Sequence, residues 1–570
     1  MGQEVKQWRA LRSLAAASTV LLCSVVFFHN VAVIYDGNTE GFTFEPNQLF
    51  FVLLVPFIAS LIVLVAPALL LRGTLLRVYV HGLVFLAGLA WIYSNFIVWN
   101  FGLVDGGDWD FSLVESYKPY ELVALIVIWL ALYRLVVKRT RVITTFFVFL
   151  SLVLAVPTAL ALYRDPNQTS LTPRENLGVL YHFSSQKNLL IVLLDSFQSD
   201  LFGDLLRDDS TLADEFAGFT FYPDTLGVAA STYLTLPSLH SGKLYQAGQR
   251  LREFYTSTIS QDSFLNALAS AGYEVTLVNA IQKVCPERIE FCIKGEEVLH
   301  GKTWLLLMEA ARLLDLSLVR AVPLSYKRIL YRGQFWTVSP LVRRYLRRYD
   351  DGELEHVAGN RVLKALGEHG RIVNDRPTAK FIHLLSTHQP YVLDVDCEIR
   401  RGETPERRRT AVLQTRCAVV AFTDLLDFLR QAGIYDRSLI VLIADTGAGL
   451  DSHYVSAESD KPVWARLVGR ANPVFLIKRP GAQGPLTTAD ASVQPSDLPA
   501  TVCAILGDCV AQDGLSVFAA PAVPRRPRIF KHYTWRHEYW GRDVLPKVDN
   551  YRVEGPLWTE KAWTNYDYAW

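Results

Sequence analysis

Two stretches decide the fold: Asn188-Leu-Leu-Ile-Val-Leu-Leu-Asp195-Ser-Phe-Gln-Ser-Asp200, and Ser438-Leu-Ile-Val-Leu-Ile-Ala-Asp445-Thr446-Gly447-Ala-Gly449-Leu-Asp451-Ser-His453. Each is a short apolar run without polar alternation, as in a strand buried on both faces, and each ends in an aspartate. Further runs at 274–279, 379–385 and 473–477 are separated by helical patterns at 262–271 and 418–432. Strands alternating with helices predict a mainly parallel sheet sandwiched by helices from residue 187 to about 510. In such sheets ligands sit beyond the carboxyl ends of the strands. The residues following each run are therefore the ones to read for chemistry.

A lone Asp after a strand is commonly a helix cap. Asp195 and Asp445 together, with histidines nearby, form a carboxylate pair suited to a divalent ion. The third run leads into His383-Leu-Leu-Ser-Thr-His388-Gln-Pro-Tyr391, whose Pro and Tyr fix a loop carrying His388. Between the first two runs lies Gly227-Val-Ala-Ala-Ser231-Thr232-Tyr-Leu-Thr235-Leu-Pro237-Ser-Leu-His240-Ser-Gly242. A hydroxyl just before a helix initiated by Pro237 would stand at the positive end of its dipole, where phosphate or sulfate also binds. Ser231, Thr232 and Thr235 are all open to that role, and the alternative for each is a helix cap.

Upstream, the composition changes. The chain has 570 residues, more than one hydrophobic core supports, with 51% hydrophobic and 20% charged residues and a mean hydropathy of +0.18. Apolar stretches of bilayer length fall at 14–35, 49–71, 78–98, 122–137 and 142–162. A cleaved signal peptide is the alternative for the first, but four more stretches follow it. Lys6, Arg9, Arg12, Arg72, Arg77, Lys138, Arg139 and Arg141 mark one side of the membrane, and Asp36, Glu40, Glu45, Asp105, Asp108, Asp110 and Glu115 the other. The positive-inside rule then predicts a multi-pass protein of the cytoplasmic membrane whose domain after Arg164 is periplasmic or extracellular. His29 and Asn30 in the first stretch read as an interhelical hydrogen-bond pair or a polar relay.

Six of the seven cysteines lie in the second half as neighbours, Cys285 with Cys292, Cys397 with Cys417 and Cys503 with Cys509. Neighbour pairing as disulfides suits an oxidising compartment; a zinc site is the competing reading, without a C-x-x-C pair to support it. The formal net charge of +1 gives no field for nucleic acid. The organisation expected is a five-helix membrane domain over 1–164, a linker over 165–186, the α/β domain over 187–510, and an aromatic, basic tail over 511–570 that packs on the domain or stacks on glycans. An insertion over 303–350, rich in arginine (Arg312, Arg320, Arg328, Arg332, Arg343, Arg344, Arg347, Arg348), reads as interfacial helices or as a solvated helical surface.

Taken together, Asp195, Thr-Leu-Pro-Ser-x-x-Ser-Gly, Thr-His-Gln-Pro-Tyr, Asp445-x-Gly, Asn472-Pro-Val-Phe-Leu-Ile-Lys-Arg-Pro-Gly481 and Ser496-Asp-Leu-Pro-Ala-Thr-Val-Cys-Ala-Ile-Leu-Gly507 resemble the alkaline phosphatase and sulfatase superfamily over about 187–507. With the apolar spans, the chain is similar to lipoteichoic acid synthases and to phosphoethanolamine or phosphoglycerol transferases. The resemblance implies a divalent ion, zinc or manganese with magnesium an option, held by Asp195 and Asp445 against a Thr nucleophile. Thr235 stands two before Pro237, as in several branches, and Thr232 is the alternative; His388, His453 and His383 would meet the substrate. It further implies a phospholipid donor and an envelope glycan or lipid acceptor. Thr446 stands where the resembled Asp-His-Gly motif carries a metal-binding His, and Ala448 where a Glu is frequent. That departure keeps a pseudoenzyme that binds lipid or protein, and an ester hydrolase, as competing functions.

Overall fold

The computed structural model of the chain describes residues 2–37, 42–98, 111–162, 177–279, 284–331, 336–345, 355–398, 407–455, 462–509, 513–520, 526–532, 544–545 and 548–565. It divides into two compact units, Met1–Ser170 with Lys302–Asp351, and Leu171–Gly301 with Gly352–Trp570.

Among its described residues the first unit holds four helices long and apolar enough to cross a membrane: Val5–Gly37, Pro46–Leu70, Gly73–Asn95 and Lys118–Val156. The last lies in a run, Lys118–Leu162, that is broken at Arg139 (φ −139°, ψ 37°). Ring contacts show what the break does. His81 meets Tyr133 at 4.8 Å and Phe85 meets Trp129 at 4.9 Å, an antiparallel pairing, yet Trp91 meets Phe146 at 6.2 Å. A straight helix would carry Phe146 away from Trp91, since each residue adds about 1.5 Å. The chain therefore turns at Arg139, between the stretches expected at 122–137 and 142–162, and by length and composition the run counts as one candidate span. Of the acidic connecting residues, Glu40, Asp105, Asp108 and Asp110 lie outside the described residues.

Several polar side chains in this unit are paired between helices. His29 Nε2 lies 3.0 Å from Asn95 Oδ1, and Asn30 Nδ2 donates to Ser94 Oγ at 2.9 Å and to the Ser317 carbonyl at 3.2 Å. This is the interhelical pairing, not an open relay. Ser317 belongs to the insertion, whose apolar residues Trp304, Leu305, Met308 and Leu313 join Leu14, Leu21, Val80 and Val84 in one core. Glu121 caps the insertion's next turn, accepting from the Leu324 and Ser325 amides at 2.6 and 2.9 Å. Arg332, Arg347 and Arg348 lie outside the described residues.

The second unit is built on an eight-stranded sheet. Its strands are β2 (Asn188–Leu194), β3 (Phe219–Phe221), β4 (Glu274–Asn279), β5 (Phe291–Lys294), β7 (Thr378–Leu384), β8 (Ser438–Ile443), β9 (Phe475–Lys478) and β10 (Thr487–Thr488). Their order is β10-β3-β9-β8-β2-β7-β4-β5, all parallel except β9, which runs against β8 and β3. Two further strands, β1 (His182–Ser184) and β6 (Arg371–Asn374), form a small parallel pair. Every residue of β2, β7 and β8 is buried, because these central strands are covered on both faces. One face packs on Phe197, Phe202, Phe422 and Leu425, the other on Leu236, Leu239, Leu265 and Val502. The helix expected at 418–432 is longer, Arg407–Gln431.

The three neighbouring cysteine pairs are disulfides, Cys285–Cys292, Cys397–Cys417 and Cys503–Cys509. The tail forms an antiparallel sheet of β11 (Arg528–His532), β12 (Asp549–Val553) and β13 (Trp563–Asn565). It packs on the domain through Phe530, Val553 and Leu557 against Leu226, Val468 and Ala471.

Candidate active site

Parallel registry of β2 and β8 pairs Leu193 with Ile443, so Asp195 and Asp445 leave the sheet side by side, two residues further on. Both are buried. Ser196 has a left-handed backbone (φ 60°), an uncommon state for a residue with a Cβ. In that conformation its amide donates to Asp445 Oδ1 at 3.1 Å and its hydroxyl to Asp195 Oδ1 at 2.9 Å. One residue thus ties the two carboxylates together.

The third member comes from the helix Thr232–Ser241, which starts after Ser231 (φ −140°, ψ 135°) and not at Pro237, which lies inside it. Thr232, its first residue, donates its hydroxyl to Asp445 Oδ2 at 2.6 Å and faces Asp195 Oδ2 at 3.4 Å. Thr235, expected as the first choice of nucleophile and as a metal ligand, is not brought in. One turn further along, it is fully buried and its hydroxyl lies 3.4 Å from the Ala229 carbonyl. The helix start decides between them: a hydroxyl at the first position projects from the helix end, whereas one at the fourth is enclosed by the preceding loop.

That loop is held from outside. Ala229 bridges Lys531 of β11, with the Lys531 amide donating to Val228 and the Ala230 amide to the Lys531 carbonyl, at 2.9 and 3.1 Å. At its start, fully buried Arg528 donates to the Asp224 carbonyl at 2.7 Å and to both carboxylate oxygens at 3.0 and 3.2 Å. The tail expected merely to pack on the domain therefore anchors the segment that delivers Thr232.

The histidines separate into three places. His383 is buried, with Nε2 at 3.2 Å from Asp195 Oδ2, so it supports the carboxylate from behind rather than facing a substrate. His388 is half-buried, with Nδ1 at 2.6 Å from the Gln389 carbonyl, and its positive potential reaches Asp195. His453 stands apart, with Nδ1 at 3.0 Å from Asp204 Oδ1 and its amide donating to Asp200 Oδ2 at 2.6 Å. Arg408 completes that cluster by pairing with both Asp200 and Asp204.

The two central carboxyls are pushed in opposite directions. Burial raises both. For Asp195 it is overcome by the His383 hydrogen bond and the positive potentials of His388 and His383, leaving the carboxyl well below its ordinary range. For Asp445, burial and then the charge of Asp195 push the carboxyl up, against the Thr232 hydroxyl. Two buried carboxylates that oppose each other's ionisation and share a hydroxyl are a donor set that a divalent cation would neutralise. The fit is to a hard ion, because Thr446 offers only a hydroxyl, 3.3 Å from Ser196 Oγ, where an imidazole would suit zinc. Among the described residues no three His, Cys, Asp or Glu side chains are grouped as a metal cluster. The Thr232 hydroxyl would thus be the third donor.

Sequence reading missed Ser196, although it follows Asp195 directly, and Thr387, whose hydroxyl donates to the Asp195 carbonyl at 2.6 Å.

A search of curated proteins found no match. Among solved structures, similar ones include a protein of the alkaline phosphatase superfamily from Vibrio parahaemolyticus, at 12% identity and TM-score 0.41, covering 68% of this chain and 83% of that one. The lipoteichoic acid synthase LtaP from Listeria monocytogenes is similar at 14% identity and TM-score 0.38, covering 71% and 90%. The C-terminal periplasmic domain of EcEptC from Escherichia coli, in complex with Zn, is similar at 11% identity and TM-score 0.38, covering 67% and 93%. The sulfatase family profile matches residues 187–507, more than half of the sequence and the span that carries Asp195, Thr232 and Asp445. The chain belongs to the sulfatase family.

Proposed function

We propose that the chain is a membrane-anchored transferase that moves a phospho-head group, phosphoethanolamine or phosphoglycerol, from a phospholipid to an envelope glycan or lipid. The observation that carries this reading is the Thr232 hydroxyl set between Asp445 and Asp195 at a helix N-terminus. Asp195, Asp445 and Thr232 would hold a divalent ion, manganese or magnesium by donor type, which supplies charge neutralisation and a lower hydroxyl pKa. Asp445 is placed to take the Thr232 proton. Thr232 Oγ1 would then attack phosphorus as the P–O bond to diacylglycerol breaks, the leaving alkoxide taking up the proton to depart as diacylglycerol; in the second step the acceptor hydroxyl gives its proton to Asp445 and attacks phosphorus, and Thr232 leaves and is reprotonated from Asp445. Ser196 and His383 keep the two carboxylates in register throughout. The helix dipole favours the anionic group at Thr232.

Five crossings beginning in the cytoplasm would place this site on the outer side, where three disulfides are stable. Thr446 supports a second reading, in which the same pocket hydrolyses a phosphoric or sulfuric ester or binds one without turnover.

The test is metal content and head-group transfer with full-length protein in detergent. One divalent ion per chain, lost in Asp195→Ala and Asp445→Ala, together with head-group release from phosphatidylethanolamine or phosphatidylglycerol vesicles, is expected. Protein that takes up no metal and leaves both lipids intact would refute the reading and favour the non-catalytic one.

A further inference from the structure

Arg470 ends the helix Pro462–Ala471 and lies half-buried between the two loops that meet at the site. Its Nε and Nη2 donate to the Ala230 carbonyl at 3.0 and 2.7 Å, and its Nη1 to the Gly447 carbonyl at 3.1 Å. Ala230 is two residues before Thr232 and Gly447 two after Asp445, and those two side chains touch at 2.6 Å. The guanidinium therefore bridges the backbone segments that present the hydroxyl and the carboxylate.

Its charge is the second observation. Three of the five guanidinium N–H groups go to carbonyl oxygens, and among the described residues no carboxylate pairs with Arg470. Other arginines of this unit that are engaged by acids, such as Arg408, Arg430, Arg526 and Arg528, sit against one or two carboxylates each. Arg470 instead projects its positive potential onto Tyr391 of the Thr-His-Gln-Pro-Tyr turn and onto His532. A part-exposed, uncompensated guanidinium with one N–H left on each Nη has the fork geometry that suits two oxygens of a tetrahedral anion.

We propose that Arg470 is the oxyanion-binding residue of this site, gripping non-bridging oxygens of the phosphate or sulfate ester that Thr232 meets. The inference rests on the site described above and extends it to substrate recognition.

The experiment uses full-length protein in detergent with Mn²⁺ present, titrated with inorganic phosphate and, in a parallel arm, inorganic sulfate. Binding is read by calorimetry and by the shift in thermal midpoint. Arg470→Gln is expected to weaken the preferred anion at least tenfold while Mn²⁺ affinity stays within about threefold. Unchanged anion affinity in Arg470→Gln overturns the proposal. So does a parallel tenfold loss of Mn²⁺ affinity, which would make Arg470 a purely structural staple. If Arg470→Gln does not fold, Arg470→Lys decides: it keeps the charge but not the fork, so loss of more than half of the anion-induced shift supports the assignment and a full shift overturns it. Wild-type protein that binds Mn²⁺ but neither anion defeats this inference alone, whereas failure to bind Mn²⁺ defeats the proposed function.

Discussion

Gly447→Ala addresses the geometry of the Asp445 loop most sharply. A Cβ built at this position would lie 1.8 Å from the Gly469 carbonyl oxygen and 3.2 Å from that of Asn472, where ordinary contact begins at 3.4 Å. The neighbour is backbone, so no side chain can swing aside, and the loop must move by about 1.6 Å to restore contact distance. That movement strains the Gly447 amide bond to the Arg470 carbonyl at 3.0 Å and the Arg470 Nη1 bond to the Gly447 carbonyl at 3.1 Å. Overpacking of this kind costs about 1–3 kcal/mol. An error near 1 Å in a reacting group lowers turnover about 100-fold. The assay is Mn²⁺ affinity by calorimetry, beside thermal unfolding and head-group release. Gly203→Ala is the control: it lies in the helix Ser199–Asp208, where the new methyl would meet only Tyr454 Oη at 3.6 Å. That variant should be as active as wild type and about 0.5–1 kcal/mol more stable. Gly447→Ala with wild-type metal affinity and turnover would refute the claim that loop position sets the site.

Three further outcomes follow from single contacts. Arg528→Met strands the buried Asp224 carboxylate and should destabilise the protein by about 3–5 kcal/mol in urea unfolding, with Arg528→Met/Asp224→Leu recovering most of the loss; equal instability of the double variant contradicts this. His240 is buried against Phe381, with Nδ1 at 2.9 Å from Ser263 Oγ, and burial followed by the charge of His383 pushes its pKa down to about 3. Its folded value is below the ordinary one, so its contribution holds above pH ~6.5 and is lost as pH falls toward 3, by about 1.4 kcal/mol per unit. His240→Gln should flatten that slope, and an unaltered slope counts against the assignment. Thr446→His supplies the missing imidazole and should raise Zn²⁺ affinity relative to Mn²⁺ at least tenfold, measured by competition with a chelating dye.

How much of this was legible in the sequence depends on burial and range. The strands β2, β7 and β8 read clearly because covering both faces leaves only apolar residues, and Asp195 and Asp445 mark their ends. The disulfides were legible because each joins sequence neighbours. Short strands such as β3, β5 and β10 were not, since two to four residues give no period. The choice between Thr232 and Thr235 could not be made from spacing to Pro237, because it depends on where the helix begins, just after the segment 228–230 that pairs with Lys531 of β11, about 300 positions away in the chain. The resemblance implied that His383 meets the substrate, yet its position inside a buried strand turns it toward Asp195. Polar helix contacts such as Asn30 with Ser317 join an early span to a late insertion, which no local pattern announces.

The most direct measurement is mass spectrometry of the full-length protein after brief incubation with Mn²⁺ and phosphatidylglycerol or phosphatidylethanolamine vesicles, quenched in acid. A phospho-head-group adduct confined to Thr232, present in Thr235→Ala and absent in Thr232→Ala, is the predicted result. An adduct on Thr235 or Ser231, or its survival in Thr232→Ala, would contradict the arrangement of hydroxyl and carboxylates on which the account stands.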